Sequence, residues 1–384
     1  MADVILRQAQ DEGRLSAFLT LIPSLSKGEG RRPRLPVLLA LLLLPLLAAC
    51  ATPTVAPPGP LAASGGTEPR LAADSFTARD GLSLPLRAWL PEDPPEAVFL
   101  ALHGFNDYSK AFEAPGEAFA GRGVAVYAFD QRGFGEAPNR GLWPGVETMG
   151  RDVADLAGLL RQRHPGVPLY LLGESMGGAL IMAIAGGPEA PTFDGLILSS
   201  PAVWARETMP FYQTWALWAG VRLFPSLRVS GSGYQIQASD NIQMLIGLGR
   251  DPLFIKNTRV DALYGLANLM DQAYAAATSL PGPALLLYGK RDQVIPKTPT
   301  LNVWRRLPGN GRADAGVGGN PHRIALYDDG WHLLLRDLRS DKVVEDILAW
   351  VADKAAPLPS GADGNAVSYL KKSEIIIPFP GLDY

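Results

Sequence analysis

The sequence predicts an α/β chain: a mostly parallel sheet of about eight strands flanked by helices, with a helical cap inserted into it. Three observations carry this. Short apolar runs alternate with segments of helical period between residues 75 and 355. Most of those runs are apolar at successive positions, as strands buried on both faces are. One long stretch, Pro201 to Thr278, interrupts the alternation.

The elements follow in chain order. Ser75 to Arg79 and Leu82 to Leu90 flank Asp80-Gly81, a two-residue hairpin signal, so the sheet opens with an antiparallel pair. Ala97 to Leu102, Val124 to Phe129, Val167 to Leu172, Gly195 to Ser199, Ala284 to Tyr288 and Arg323 to Tyr327 are the buried strands. Helical period places helices at Ala114 to Arg122, Met149 to Arg163, Met176 to Ala185 and Asp341 to Lys354. Residues 201–278 are too long for a single crossover and rich in aromatics: Trp204, Phe211, Tyr212, Trp215, Trp218, Phe224 and Tyr234. This is the cap. Most of its aromatics are expected to pack onto the sheet, with a minority lining an apolar pocket suited to a fatty chain.

The ends read differently. Residues 35–49 are uncharged and apolar, follow Arg31, Arg32 and Arg34, and are too short to cross a bilayer comfortably. Residues 1–49 therefore read as an export signal, with the true start codon expected further downstream. Leu47-Ala48-Ala49-Cys50 resembles the lipobox of bacterial lipoproteins, in which the cysteine sulfur receives a diacylglyceryl group. Cys50 is the single cysteine, which excludes an intramolecular disulfide framework and makes lipid attachment the explanation for an exported thiol. Plain cleavage at an Ala-x-Ala site is the alternative. The expected setting is thus the cell envelope of a bacterium, anchored to the membrane through Cys50. Residues 50–74 are expected to form a Pro-, Ala- and Gly-rich tether, and residues 356–384 a tail with little regular structure. The formal charge of −3 becomes −5 without residues 1–49, and no feature points to nucleic acid.

Chemistry enters at Gly173-Glu174-Ser175-Met176-Gly177, directly after a buried strand and before a helix. A G-x-S-x-G motif in that context is a nucleophile elbow, a turn so tight that its flanking positions must lack side chains. A serine hydroxyl needs a base, and the base an acid to hold its tautomer. Ligands of open parallel sheets bind beyond the strands' carboxyl ends, which selects among four histidines. His322 begins a strand and would stand on the order of 20 Å from the elbow, and His164 ends a helix. His332, after the last strand, is the base. Asp292, in Tyr288-Gly289-Lys290-Arg291-Asp292, follows a strand, whereas Asp240, Asp251, Asp261 and Asp271 fall in the cap. The order Ser175, Asp292, His332 is that of α/β-hydrolase triads. Backbone N–H groups of Met176 and Phe105 are the candidate oxyanion hole, with His103 bracing the second loop. Asp130-Gln131-Arg132-Gly133-Phe134-Gly135 lacks the glycine spacing of a dinucleotide fingerprint and reads as a structural loop.

With these motifs the chain resembles the monoacylglycerol lipase and lysophospholipase group of serine hydrolases over about residues 75–353. The resemblance implies an α/β-hydrolase sheet with a helical cap, no cofactor and no metal, and cleavage of one acyl chain from glycerol or glycerophospholipid. It assigns the triad to Ser175, Asp292 and His332 and the oxyanion hole to Phe105 and Met176. The leader, the polar insert Gly309 to Asn320 and the C-terminal tail depart from the family pattern. A peptidase or acyltransferase on the same scaffold, or a non-catalytic envelope lipoprotein, are the competing readings.

Overall fold

The computed structural model describes residues 52–231, 236–309 and 322–375. The expected export segment, Cys50 and nearly all of the polar insert lie outside the described residues. The sheet runs β1 (Arg70–Leu71), β2 (Ser75–Thr77), β3 (Ser83–Trp89), β5 (Val124–Phe129), β4 (Ala97–Leu102), β6 (Leu169–Glu174), β7 (Gly195–Ser199), β10 (Ala284–Gly289), β11 (His322–Tyr327) in spatial order. The first three strands are antiparallel neighbours, and β3 joins β5 antiparallel. From β5 onward every pairing is parallel. The sheet therefore has nine strands rather than eight. The added strand is β1, too short to leave a periodic signal, formed because Arg70 and Leu71 find backbone partners on β2.

Alternation along β4 divides the core. Val98, Leu100 and Leu102 face one helical layer with Met149, Val153, Ala179 and Leu269, while Phe99 and Ala101 face Phe119, Val343, Ile347 and Trp350. The first layer contains α2 (Val146–Arg163), α3 (Met176–Ile184) and α6 (Val260–Ala276); the second contains α1 (Glu113–Ala120) and α8 (Ser340–Ala352). Between β7 and β10 the chain forms α4 (Phe211–Leu223), the ribbon β8 (Arg228–Ser230) with β9 (Asn257–Arg259), α5 (Ile242–Arg250) and α6. A further helix, α7 (Lys297–Arg306), links β10 to β11.

Three expectations are corrected. Residues 356–384 are not uniformly irregular: Ala362–Ile375 is a helix, α9, packed along β11. Leu358, Ala362 and Ala366 are buried there, and Arg323 on β11 holds Asp363 at 2.6 Å. An otherwise open edge strand supplies the packing that a weakly patterned segment lacks by itself. The tether is docked: Val55 bridges to Trp143, the Ala56 N–H donates to the Trp143 carbonyl at 2.9 Å, and the Gly59 N–H donates to Asp80 at 2.7 Å. Composition cannot reveal such backbone pairing. Finally, the cap aromatics do not mostly pack inward. Trp204 meets the core, but Phe211, Tyr212, Trp215, Trp218 and Phe224 are exposed, and Tyr234 lies outside the described residues. In helix α4 Val221 is the one buried side chain, and Leu217 packs partly buried against the core.

Candidate active site

Phe105, Ser175, Met176, Asp292 and His332 lie beyond the carboxyl ends of β4, β6, β10 and β11. The register keeps these ends level: Leu102 pairs with Gly173, and Gly289 with Tyr327. Ser175 follows β6 and caps α3 with φ 52° and ψ −112°, a conformation non-glycine residues seldom adopt. The turn closes because Gly173 and Gly177 have no Cβ. One on Gly177 would lie 2.0 Å from the Leu102 carbonyl oxygen, and one on Gly173 2.5 Å from the Gly177 carbonyl carbon. The Ser175 N–H donates to the Ser199 carbonyl of β7 at 2.9 Å, locking the elbow to the sheet.

The structure brings Asp292 and His332 together. Their two loops are stitched by the Lys290 N–H to the Tyr327 carbonyl and the Arg291 N–H to the Gly330 carbonyl, both 2.9 Å. Asp292 Oδ1 accepts the N–H groups of Val294 at 2.7 Å and Ile295 at 2.9 Å. Its Oδ2 lies 2.8 Å from His332 Nδ1, with both side chains buried. That bond fixes the ring so that Nε2 is the nitrogen left to exchange a proton. Burial disfavours the imidazolium, but the charge and hydrogen bond of Asp292, aided by Glu174, outweigh it and raise the His332 pKa above its ordinary value. A base must be neutral to accept a proton. The kcat/KM profile is therefore expected to fall on the acid side with an apparent pKa above about 6.5. A pH titration of ester hydrolysis checks it; an acid limb below 6 would contradict it.

The loop after β4 closes against the elbow. A Cβ on Gly104 would sit 3.4 Å from the Ser175 Cβ, which brings the Gly104-Phe105 backbone beside the serine. Met176 opens α3, where N–H groups lack intrahelical acceptors. His103 braces the loop: Nδ1 lies 2.9 Å from the Gly104 carbonyl, and Nε2 accepts the Gln131 N–H at 3.0 Å. Burial lowers its pKa, and both nitrogens are engaged. His164 contacts Tyr127 Oη at 2.8 Å at the end of α2, and His322 pairs with Ala284 at the amino end of β11. The Asp130 loop is structural: Arg132 grips both Asp80 and Asp152 at 2.6–2.8 Å.

Sequence reasoning missed a buried charge cluster under this site. Arg336, whose side chain is 8% exposed, lies 2.6 Å from Glu174 and 2.9 Å from Asp107. One guanidinium thus ties together the histidine loop, the elbow and the loop after β4. The two carboxylates keep it charged against its burial. The signal was a glutamate inside the elbow motif, but nothing along the chain says which cation would meet it.

Comparison with known proteins follows the same lines. A family model described as serine aminopeptidase, S33, matches residues 93–339. The monoacylglycerol lipase of Mycolicibacterium smegmatis is 24% identical over 286 residues, covering 72% of this chain and 95% of that protein. Human monoglyceride lipase is 25% identical over 284 residues, 72% of this chain and 89% of that one. Among solved structures, the monoacylglycerol lipase of Paleococcus ferrophilus aligns with a TM-score of 0.57 at 22% identity, over 70% of this chain and 98% of that chain. A soluble variant of the Saccharomyces cerevisiae monoglyceride lipase, in complex with a substrate analog, aligns with a TM-score of 0.58 at 19% identity, over 75% and 95%.

Proposed function

The chain belongs to the hydrolase family described as serine aminopeptidase, S33, and from that premise we propose that it cleaves monoacylglycerols or lysophospholipids through an acyl-enzyme on Ser175. It is an α/β-hydrolase of the monoacylglycerol lipase and lysophospholipase type, and an ester hydrolase. The observation that carries the finer reading is the buried Asp292–His332 bond of 2.8 Å at the sheet rim that also bears the Ser175 elbow.

In this mechanism His332 Nε2 removes the Ser175 proton as Oγ attacks the acyl carbonyl, and Asp292 stabilises the imidazolium that forms. The N–H groups of Phe105 and Met176 receive the oxyanion. The tetrahedral intermediate collapses as His332 protonates the departing glyceryl oxygen, and water activated by the same histidine releases the fatty acid. The Leu47-Ala48-Ala49-Cys50 sequence supports export and lipid attachment at Cys50, which would hold the enzyme at the membrane where such substrates reside.

The family description makes a peptidase the second reading. An aminopeptidase needs a carboxylate for the substrate ammonium, and Glu174 within the elbow and Asp107 in the loop after β4 are already held by Arg336. A panel comparing 1-monoacylglycerols, a lysophospholipid and p-nitrophenyl esters with aminoacyl p-nitroanilides tests the choice. Monoacyl esters are expected to exceed the amides in kcat/KM by about a hundredfold or more. Preference for the amides would overturn the lipid reading, transfer of the acyl group to an alcohol acceptor would mark an acyltransferase, and failure of Ser175 to label with a fluorophosphonate would favour a non-catalytic role.

A further inference from the structure

Residues 54–61 belong to neither the sheet nor the cap, yet they follow the body through one contact after another. The Thr54 N–H donates to Asp261 at 3.1 Å, and Asp261 is gripped by Arg259 at 2.6 and 2.9 Å. Val55 bridges to Trp143, and the Ala56 N–H donates to the Trp143 carbonyl at 2.9 Å. The Gly59 N–H donates to the Asp80 carboxylate at 2.7 Å, and the Leu61 N–H to the Asp80 carbonyl at 2.9 Å. The approach at Gly59 requires a residue without a side chain, since a Cβ there would lie 2.5 Å from Asp80 Cγ. A segment that only joined two points would need no such fit.

From these contacts two routes run to the loop after β4. In the first, Trp143 is 7% exposed and packs so close to α6 that a Cβ on Gly265 would lie 2.5 Å from its Cδ2. Its ring centre is 6.4 Å from that of Phe105, which in turn meets Phe134 at 5.6 Å. In the second, Asp80 holds Arg132 at 2.7 and 2.8 Å, and the next residue back, Gln131, holds His103 twice. The Gln131 N–H donates to His103 Nε2 and its side-chain amide to the His103 carbonyl, each at 3.0 Å. His103 Nδ1 then donates to the Gly104 carbonyl at 2.9 Å. That carbonyl and the Phe105 N–H belong to one planar peptide unit, so fixing the direction of the first fixes the second. An oxyanion donor acts by being in place before charge develops, and a displacement of about 1 Å can cost on the order of a hundredfold in rate.

We propose that the docked tether is part of the active-site scaffold, holding the Gly104-Phe105 peptide in its donor orientation through Trp143 and through Asp80, Arg132 and His103, a role that rests on the oxyanion assignment of Phe105. The tether, Trp143 and Asp80 are positioning groups that act through Phe105. The test compares the full chain with its Ala56→Pro, Gly59→Val double variant, which removes one donor and drives a side chain into Asp80. Sites are counted with a fluorophosphonate, kcat and KM are read on p-nitrophenyl butyrate, and affinity is read for an alkyl trifluoromethyl ketone, whose adduct with Ser175 carries an oxyanion. Per labelled site, kcat is expected to fall about tenfold or more and the ketone to bind about tenfold more weakly, with KM within about twofold, because a displaced donor costs the transition state and its mimic but not the ester ground state. A variant that loses sites but keeps the parent's kcat per site and ketone affinity would overturn the proposal, as would one unchanged throughout. Should the double variant fail to fold, the parent decides: coupling is reciprocal, so saturating ketone is expected to slow hydrogen exchange at Thr54, Ala56, Gly59 and Leu61 by about tenfold, and unaltered exchange would overturn the proposal. A parent that neither labels nor hydrolyses the ester would instead remove the Ser175 reading, and the coupling with it.

Discussion

Replacing Ser175 by alanine is expected to lower kcat for ester hydrolysis by about a millionfold, the scale seen when a triad nucleophile is removed. The loss is large because the oxyanion donors and the Asp292–His332 pair act on an attack that no longer occurs. Stability should separate two otherwise equally inactive variants. Ser175 is held at φ 52°, so alanine inherits the strain, whereas Ser175→Gly relieves it and should be more stable than Ser175→Ala by about 1 kcal/mol. Single-turnover kinetics and denaturant unfolding measure the two effects. Activity of Ser175→Ala within about tenfold of the parent would remove the elbow serine from the mechanism.

Arg336→Met is expected to destabilise the fold by about 3–5 kcal/mol, because it leaves Glu174 and Asp107 buried without their cation. The melting temperature should drop on the order of 10 °C. Burial already pushes the Glu174 pKa up, with Arg336 partly offsetting it. A carboxyl whose folded pKa is raised binds more protons in the native state, so its contribution to stability is lost as pH rises. Without Arg336 that dependence should steepen above about pH 4.5, the ordinary glutamate value, making the variant's deficit larger at pH 8 than at pH 5. Neutralising the cluster as Asp107→Asn, Glu174→Gln and Arg336→Met together should recover most of the stability. Its kcat should stay depressed, since no guanidinium then ties the three loops. A single variant within about 1 kcal/mol of the parent at pH 8 would contradict this account.

How much was legible varies by element, for a physical reason in each case. Strands β4 and β5 stood out because six successive apolar residues between turn signals leave few alternatives. The elbow was legible because its glycines are demanded by contacts between residues only a few positions apart. Helix α7 escaped notice because its inward stripe of Pro299, Thr300, Val303 and Trp304 includes a proline and a threonine, which weaken the apolar period. Helix α9 and strand β1 escaped because each depends on a neighbour, β11 and β2, that its own residues do not announce.

By itself the sequence determined the alternating α/β order, the tight turn at Ser175 and the chain order of the candidate serine, aspartate and histidine, since these follow from local periodicity and from which residue types can do the chemistry. Only the tertiary structure decided that Arg336 would meet Glu174 and Asp107, that residues 55–59 would dock on the body, and that most of the described cap aromatics would face outward. Those outcomes depend on contacts between residues tens to hundreds of positions apart. Local periodicity says that an aromatic prefers burial, but not whether the fold leaves a partner surface to bury it.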